Sequence, residues 1–154
     1  MTDKTNAQAV RQVGYLVEDI EAACADHELT GVRKWMRSEV EPGGRYRGGP
    51  SSGSIKVAIG YSGDLQIELI EAVGPGASVW HEFRDAKRFG VHHVAHWYDD
   101  LDEGMAAVGD RAELVQLVTE TSPRYAYFQT DSGLLLELME LTPRVREFME
   151  AARR

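Results

Sequence analysis

Alternating apolar and polar positions divide the chain into short strands separated by capped helices. Val10 to Val17 reads as a strand, and Asp19 as the N-cap of a helix that runs to about Leu29. Trp35 to Val40 alternates more weakly and is expected to form a second strand. Ile55 to Tyr61 and Leu65 to Ala72 follow as two strands joined by a turn at Ser62-Gly-Asp64. Val79 to Arg88 has helical spacing, with Val79 and Phe83 facing inward and Ala86 a further candidate for that face. Between the second and third strands, Glu41 to Ser54 carries five glycines, two prolines and three serines, and reads as a loop too poor in apolar residues to pack.

After Gly90 the same order of elements begins again. Gln12-Val-Gly-Tyr-Leu-Val-Glu-Asp-Ile-Glu-Ala-Ala23 matches His93-Val-Ala-His-Trp-Tyr-Asp-Asp-Leu-Asp-Glu-Gly104, so that Asp19 and Asp100 take the same place. Downstream, Gly63 to Glu71 matches Ser132 to Glu140, which makes Glu68 the counterpart of Glu137. Leu114 to Val118 and Tyr125 to Thr130 supply the other strands, and each half reads β-α-β-β-β. The expected class is α+β, one domain over residues 1–154. It comprises two modules, about 10–73 and 91–142, a helical connection over 78–89 and a closing helix from Pro143 to Arg154 with proline at N1. A copy of about 60 residues buries too little apolar surface alone, so the two sheets are expected to share one core.

Charge narrows the partners. The net charge of −8 disfavours phosphate backbones and anionic membranes, which leaves small molecules ahead of nucleic acid. No run of 18 apolar residues occurs, and the polar start Met-Thr-Asp-Lys-Thr-Asn lacks the apolar stretch of a signal peptide, so a cytoplasmic location is expected. With a single cysteine, Cys24, neither an internal disulfide nor a Cys-x-x-Cys zinc knuckle can form. Any metal must be held by His, Asp, Glu or amide oxygen.

Four polar residues fall at equivalent places in the two halves: Gln12 and His93 in the first strands, Glu68 and Glu137 in the last. Glu137 shares its strand face with Leu135 and Met139, where an ionised carboxylate is costly unless paired. A divalent cation would satisfy all four residues together. Each also has an ordinary reading: a strand Glu usually faces solvent, most simply Glu68 beside Gln66, and a strand His or Gln is often structural. His92 and His96 are expected on the face opposite His93. His81, one turn from Asp85, lacks the second His of a zinc-protease helix and reads as surface. Cys24 reads as a small core residue. The acidic run Asp99, Asp100, Asp102 and Glu103 is explained by a helix cap. Arg45, Tyr46 and Arg47, in the glycine-rich segment, either close over an anionic substrate or belong to a solvated loop; Arg88 and Arg124 are the other candidate anion contacts.

With Gly90-Val-His-His-Val-Ala-His-Trp-Tyr-Asp-Asp-Leu101, Leu65-Gln-Ile-Glu-Leu-Ile-Glu71 and Leu135-Leu-Glu-Leu-Met-Glu-Leu141, the chain resembles the vicinal oxygen chelate superfamily over roughly residues 10 to 142. That group includes glyoxalase I, methylmalonyl-CoA epimerase, extradiol dioxygenases and bleomycin resistance proteins. The resemblance implies paired β-α-β-β-β modules curled around a metal pocket, and a homodimer. Position by position, Gln12, Glu68, His93 and Glu137 match the ligands of glyoxalase I enzymes of the Gln-Glu-His-Glu type. The epimerase usually has His in place of Gln12 and Gln in place of Glu68. Ring-cleaving dioxygenases need two His and one carboxylate, and Gln12 leaves this set one His short.

One imidazole and three oxygens suit one divalent ion, zinc or nickel first, with cobalt, manganese or magnesium also compatible. The expected function is therefore a metal-dependent lyase or isomerase of glyoxalase I type. It would act on a small substrate with vicinal oxygens through a metal-stabilised enolate, with Glu137 and Glu68 as the catalytic candidates and Glu137 the expected base. Two alternatives stand beside it: an epimerase of an acyl thioester, and a metal-free ligand-binding protein on the same fold. Trp97, Arg45 and Arg47 are the candidate substrate contacts. Neither a glutathione site nor a coenzyme A site is legible in the sequence.

Overall fold

The computed structural model describes residues 9–154; the polar start on which the expected location rests lies outside them. Among the described residues, no helix is long and apolar enough to cross a membrane. The first module consists of β1 (Gln12–Leu16), α1 (Ile20–His27), a 3-10 turn (Glu28–Thr30), β2 (Met36–Val40), the short strands β3 (Arg45–Tyr46) and β4 (Gly49–Pro50), β5 (Ser52–Ser62) and β6 (Leu65–Ala77). After α2 (Val79–Asp85) the second module runs β7 (Gly90–Tyr98), α3 (Leu101–Val108), β8 (Glu113–Val118), β9 (Tyr125–Gln129) and β10 (Leu135–Glu140), and α4 (Pro143–Arg153) closes the chain. Helix α2 is shorter than the helical spacing suggests, because Lys87 turns to a positive φ of 56°, and Ala86 is left as an exposed C-cap rather than an inward-facing residue.

The repeat is visible in the pairing. Within each half the first strand lies parallel to the last, β1 beside β6 and β7 beside β10. The halves meet where β1 runs antiparallel to β7. This gives a single ten-stranded sheet in the order β2-β5-β6-β1-β7-β10-β9-β8-β3-β4, rather than two sheets facing across a core. The sheet curls into a half-barrel, the α+β arrangement expected from the repeat.

Helix placement repeats as well. Asp19 and Asp100 cap α1 and α3, accepting from backbone N–H groups in the first turn. The next free N–H of each helix is taken by an equivalent glutamate: Ile20 N donates to Glu71 at 3.0 Å and Leu101 N to Glu140 at 3.1 Å. Both carboxylates also sit at the positive end of a helix dipole. Ile20 and Cys24 of α1 pack on Ala58, Ile67 and Leu69, and Leu101 of α3 packs on Ala126, Phe128 and Leu138. The other face of the sheet carries α2, with Trp80 and Phe83 packed among Leu16, Ile55, Ile70, Val115, Tyr127 and Leu135. Helix α4 lies on that face too, with Val145 and Met149 against Met139.

The glycine-rich segment is not the unpacked loop expected from its composition. Residues 45–50 form a hairpin that extends the sheet beyond β8, with Arg45 opposite Leu117 and Tyr46 opposite Gln116. The glycines make this close packing possible: a Cβ on Gly44 would lie 2.2 Å from the Leu117 carbonyl oxygen, and Gly44 has a φ of +79°. Gly43 also has a positive φ, +66°, but faces open space. Gly44→Ala is therefore expected to destabilise the fold by about 2 kcal/mol, against about 1 kcal/mol for Gly43→Ala, which meets only the left-handed backbone penalty. Urea unfolding of the two variants checks the order; equal losses would show that φ alone sets the cost.

Candidate metal centre

The four residues singled out by the repeat converge. His93 Nε2 lies 2.9 Å from Gln12 Oε1, 2.9 Å from Glu137 Oε2 and 3.4 Å from Glu68 Oε1. Gln12 comes from β1, Glu68 from β6, His93 from β7 and Glu137 from β10, the four adjacent strands at the middle of the sheet. The His93 side chain is fully buried, while Glu68 keeps 14% and Glu137 7% of side-chain exposure. Gln12, Glu68 and Glu137 line a cavity of about 680 Å³. Its walls include Ile55, Val57, Ile59 and Ile70 from the first half, Trp80 from α2, Tyr125 and Tyr127 from β9, and Phe148 and Met149 from α4.

Two features hold His93 in place. Its ring lies across β1 at Gly14, the residue opposite it in the β1–β7 register, and a Cβ there would fall 2.0 Å from Cε1. Behind it stands His92. The register jumps from Gly14–His93 to Tyr15–Val91, so His92 is the extra residue of a bulge and turns inward instead of taking the opposite face expected from simple alternation. His92 is buried against Phe83, and its Nδ1 lies 2.9 Å from His93 Nδ1. Burial, and then the neighbouring His93 charge, hold His92 well below the usual histidine range, so it is neutral and can accept the His93 Nδ1–H. That tautomer leaves His93 Nε2 directed at the three oxygens.

The remaining candidates lie apart from the cavity. Arg47 pairs with Glu82 at 2.9 Å, Tyr46 donates to the same carboxylate, and Arg45 donates to the Gly48 carbonyl. Trp97 packs with Met139, Val145 and Met149 beneath α4, with Arg11 stacked 5.2 Å from its ring centre. Arg88 lies over Phe83, and Arg124 pairs with Glu140. The cation that does line the cavity is Arg144, on the first turn of α4, which the strand-by-strand reading did not single out. His81 is not a surface residue: it is fully buried, bonded to Ser78 Oγ and near the Val73 carbonyl, in a space left by Gly53 and Gly76. Cys24 is a buried core residue, as expected.

The family model for the glyoxalase/bleomycin resistance protein/dioxygenase superfamily matches residues 11–128. The chain belongs to this superfamily. The match stops short of Glu137, so that residue's place rests on the repeat and on the geometry above. Among solved structures, a methylmalonyl-CoA epimerase variant from Streptomyces coelicolor superposes with a TM-score of 0.66 at 17% identity, covering 88% of this chain and 96% of that one. A hypothetical protein from Bacillus halodurans C-125 gives 0.65 at 17% identity, covering 89% and 96%. A 4-hydroxymandelate synthase variant from Streptomyces coelicolor gives 0.59 at 13% identity, covering 86% of this chain and 48% of its own. These likenesses are of fold. No curated protein sequence matches the chain.

The superfamily implies a divalent ion, and the donor set fits one. Glu68, His93 and Glu137 each offer a ligand atom, all within 4.8 Å of one another, and Gln12 adds an amide oxygen. Without a cation, three oxygens face one ring nitrogen, whose N–H can align with only one of them. It aligns with Gln12; Glu137 Oε2, although 2.9 Å away, is buried with no hydrogen bond. An orphaned carboxylate oxygen of this kind is costly, and a bound cation would compensate it.

Electrostatics point the same way. Burial pulls the His93 imidazole down, but Glu137 and Glu68 outweigh it, and its pKa is pushed up to about 9. Burial raises the Glu68 carboxyl, with the Glu137 charge adding to the effect against the pull of His93. At neutral pH the metal-free site therefore holds a proton on His93 where a cation would bind. Zinc binding at pH 7 is expected to release about one proton from His93, and affinity to rise about tenfold per pH unit up to pH 9. Calorimetry in buffers of different ionisation enthalpy measures this; binding with no proton release would remove His93 from the ligand set. Gly14→Ala is expected to displace the His93 ring and abolish zinc binding while the far-ultraviolet circular dichroism stays native.

Proposed function

We propose that this chain is a metal-dependent isomerase or lyase that moves a proton at the carbon next to a carbonyl group. The observation that carries this reading is the convergence of Gln12, Glu68 and Glu137 oxygens on His93 Nε2 at the polar end of an otherwise largely apolar cavity. Gln12, Glu68, His93 and Glu137 would hold the ion. When bound, a divalent ion supplies Lewis acidity, drawing charge from a carbonyl oxygen as the neighbouring carbon loses its proton.

The protein's own groups handle the proton. Glu68 and Glu137 come from β6 and β10, on either side of the β1–β7 pair, so the two carboxylates flank whatever lies between them. Glu137 is the more tightly held: it lies 2.9 Å from His93 and keeps only 7% of side-chain exposure. Glu68 sits farther out, 3.4 Å from His93 and with 14% of its side chain exposed, which leaves it freer to reach a substrate proton, take it and return it. This favours Glu68 as the base and Glu137 as the more fixed ligand, the reverse of the roles expected from the strand pattern. The walls around the reacting carbon would be largely apolar, and Tyr125 and Tyr127 stay protonated because burial and the two carboxylates push their hydroxyls up.

Two reactions share this step. Epimerisation of a 2-substituted acyl thioester comes first, because several of the solved structures that share the fold are methylmalonyl-CoA epimerases in complex with acyl-CoA compounds. Rearrangement of a hemithioacetal, the glyoxalase I reaction, is the second reading, favoured by Gln12 standing where the epimerase usually has His. A homodimer, paired through an exposed edge such as β2, is part of the proposal.

Incubation in deuterium oxide with 2-methyl acyl thioesters and with hemithioacetals, followed by NMR, tests the step. Label is expected at the carbon beside the carbonyl, only when metal is present, and Glu68→Gln is expected to slow incorporation by ~100-fold or more. If Glu137→Gln abolishes exchange and Glu68→Gln does not, the roles are reversed. If the purified protein binds neither zinc nor nickel and labels nothing, it is a metal-free binding protein on this fold.

A further inference from the structure

Gln12 is an unusual ligand because only one end of its carboxamide can face a cation. The oxygen has lone pairs, whereas the NH2 end would repel the ion, and the two ends are nearly equal in shape. Something must decide which end turns inward.

A chain of hydrogen bonds away from the cavity makes that decision. Gln12 Nε2 donates to Gln66 Oε1, and Gln66 Nε2 donates to Tyr61 Oη, at 2.9 Å, and to Met149 Sδ. Gln66 is fully buried and sits directly beside Gln12 in the parallel β1–β6 register. The end of the chain fixes its sense. A thioether sulfur has no proton to give, so the Gln66 end that meets Met149 must be the NH2. Gln66 Oε1 then faces Gln12 and can only accept, which brings the Gln12 NH2 to it and turns Gln12 Oε1 toward His93 Nε2 at 2.9 Å.

The broken symmetry of the repeat supports this. Glu68 corresponds to Glu137, so Gln66 corresponds to Leu135, and Gln12 to His93. The half whose ligand is an amide carries a buried amide beside it. In the half whose ligand is an imidazole, the equivalent position is a core leucine, and His92 orients the ring instead. A buried glutamine in a strand otherwise rich in leucine and isoleucine is costly unless its hydrogen bonds have a use.

We propose that Gln66 is a positioning residue that, anchored by Met149 of α4, sets the amide of Gln12 so that its oxygen faces the cation site. This couples docking of α4, which also walls the cavity, to completion of the ligand set. The inference rests on the metal-dependent reading above, and its test reads metal binding rather than turnover.

Zinc titration calorimetry and the visible spectrum of the cobalt(II) form are measured for the wild type, Gln66→Leu, Met149→Leu, Gln12→Glu and the Gln12→Glu/Gln66→Leu double variant, with melting curves confirming that each is folded. Gln66→Leu is expected to weaken zinc binding by ~10- to 100-fold and to change the cobalt spectrum, with a smaller loss in the same direction for Met149→Leu. In the Gln12→Glu background either carboxylate oxygen can ligate and Gln66 Oε1 would face an acceptor, so Gln66→Leu is expected to cost no zinc affinity. Equal losses in the two backgrounds would show that Gln66 acts only through packing and would overturn the proposal, as would an unchanged affinity in Gln66→Leu itself. A wild type that binds no zinc or cobalt overturns both the relay and the metal reading; a wild type that binds while Gln66→Leu binds equally overturns the relay alone.

Discussion

Everything in this fold depends on the antiparallel contact between β1 and β7. It joins two half-sheets, each too small to stand alone, and brings the first strand of one half beside the first strand of the other. The same contact places Gly14 under the His93 imidazole, where a methyl group would occupy the space of the ring. One missing side chain thus lets a large polar group lie flat on the neighbouring strand. The bulge in the same pair turns His92 inward behind His93, giving the metal-facing ring a partner on its far side.

Around that seam the site is an electrostatic compromise. Two carboxylates and an amide oxygen are directed at one nitrogen in a largely buried region, where an unpaired charge is expensive. In the absence of metal, a proton on His93 offsets part of the cost, which is why its pKa climbs to about 9 despite full burial. One carboxylate oxygen still lacks a hydrogen bond. Such an arrangement is strained as a hydrogen-bond network and well matched to a cation. Proton and metal compete for the same place.

The cavity beside the site is assembled from distant parts of the chain. Strands of both halves, helix α2 from the connection and helix α4 from the C-terminal end all contribute. Arg47, which composition places among the candidate anion contacts, is instead consumed by Glu82 in anchoring the glycine-rich hairpin to α2. Arg144 reaches the cavity because α4 packs across that face of the sheet.

The sequence by itself determined the repeat, the order of the elements other than the β3–β4 hairpin, the Asp19 and Asp100 caps and the four-residue constellation, because each is written in local periodicity or in the match between halves. It did not determine that the two halves form one sheet, since pairing between β1 and β7 is a long-range choice that alternation cannot express. His92 and His81 were misplaced for related reasons: a bulge inverts the alternation at one, and two glycines open an interior space for the other. The glycine-rich segment looked unpackable because composition counts apolar atoms, whereas its stability comes from backbone hydrogen bonds to β8 and from the absence of side chains at close approach. Gln66 was legible only as a polar strand residue. Its role, like that of Gly14, exists only when a neighbouring strand and helix α4 stand beside it, because hydrogen-bond direction and steric clearance belong to pairs of groups that tertiary packing alone brings together.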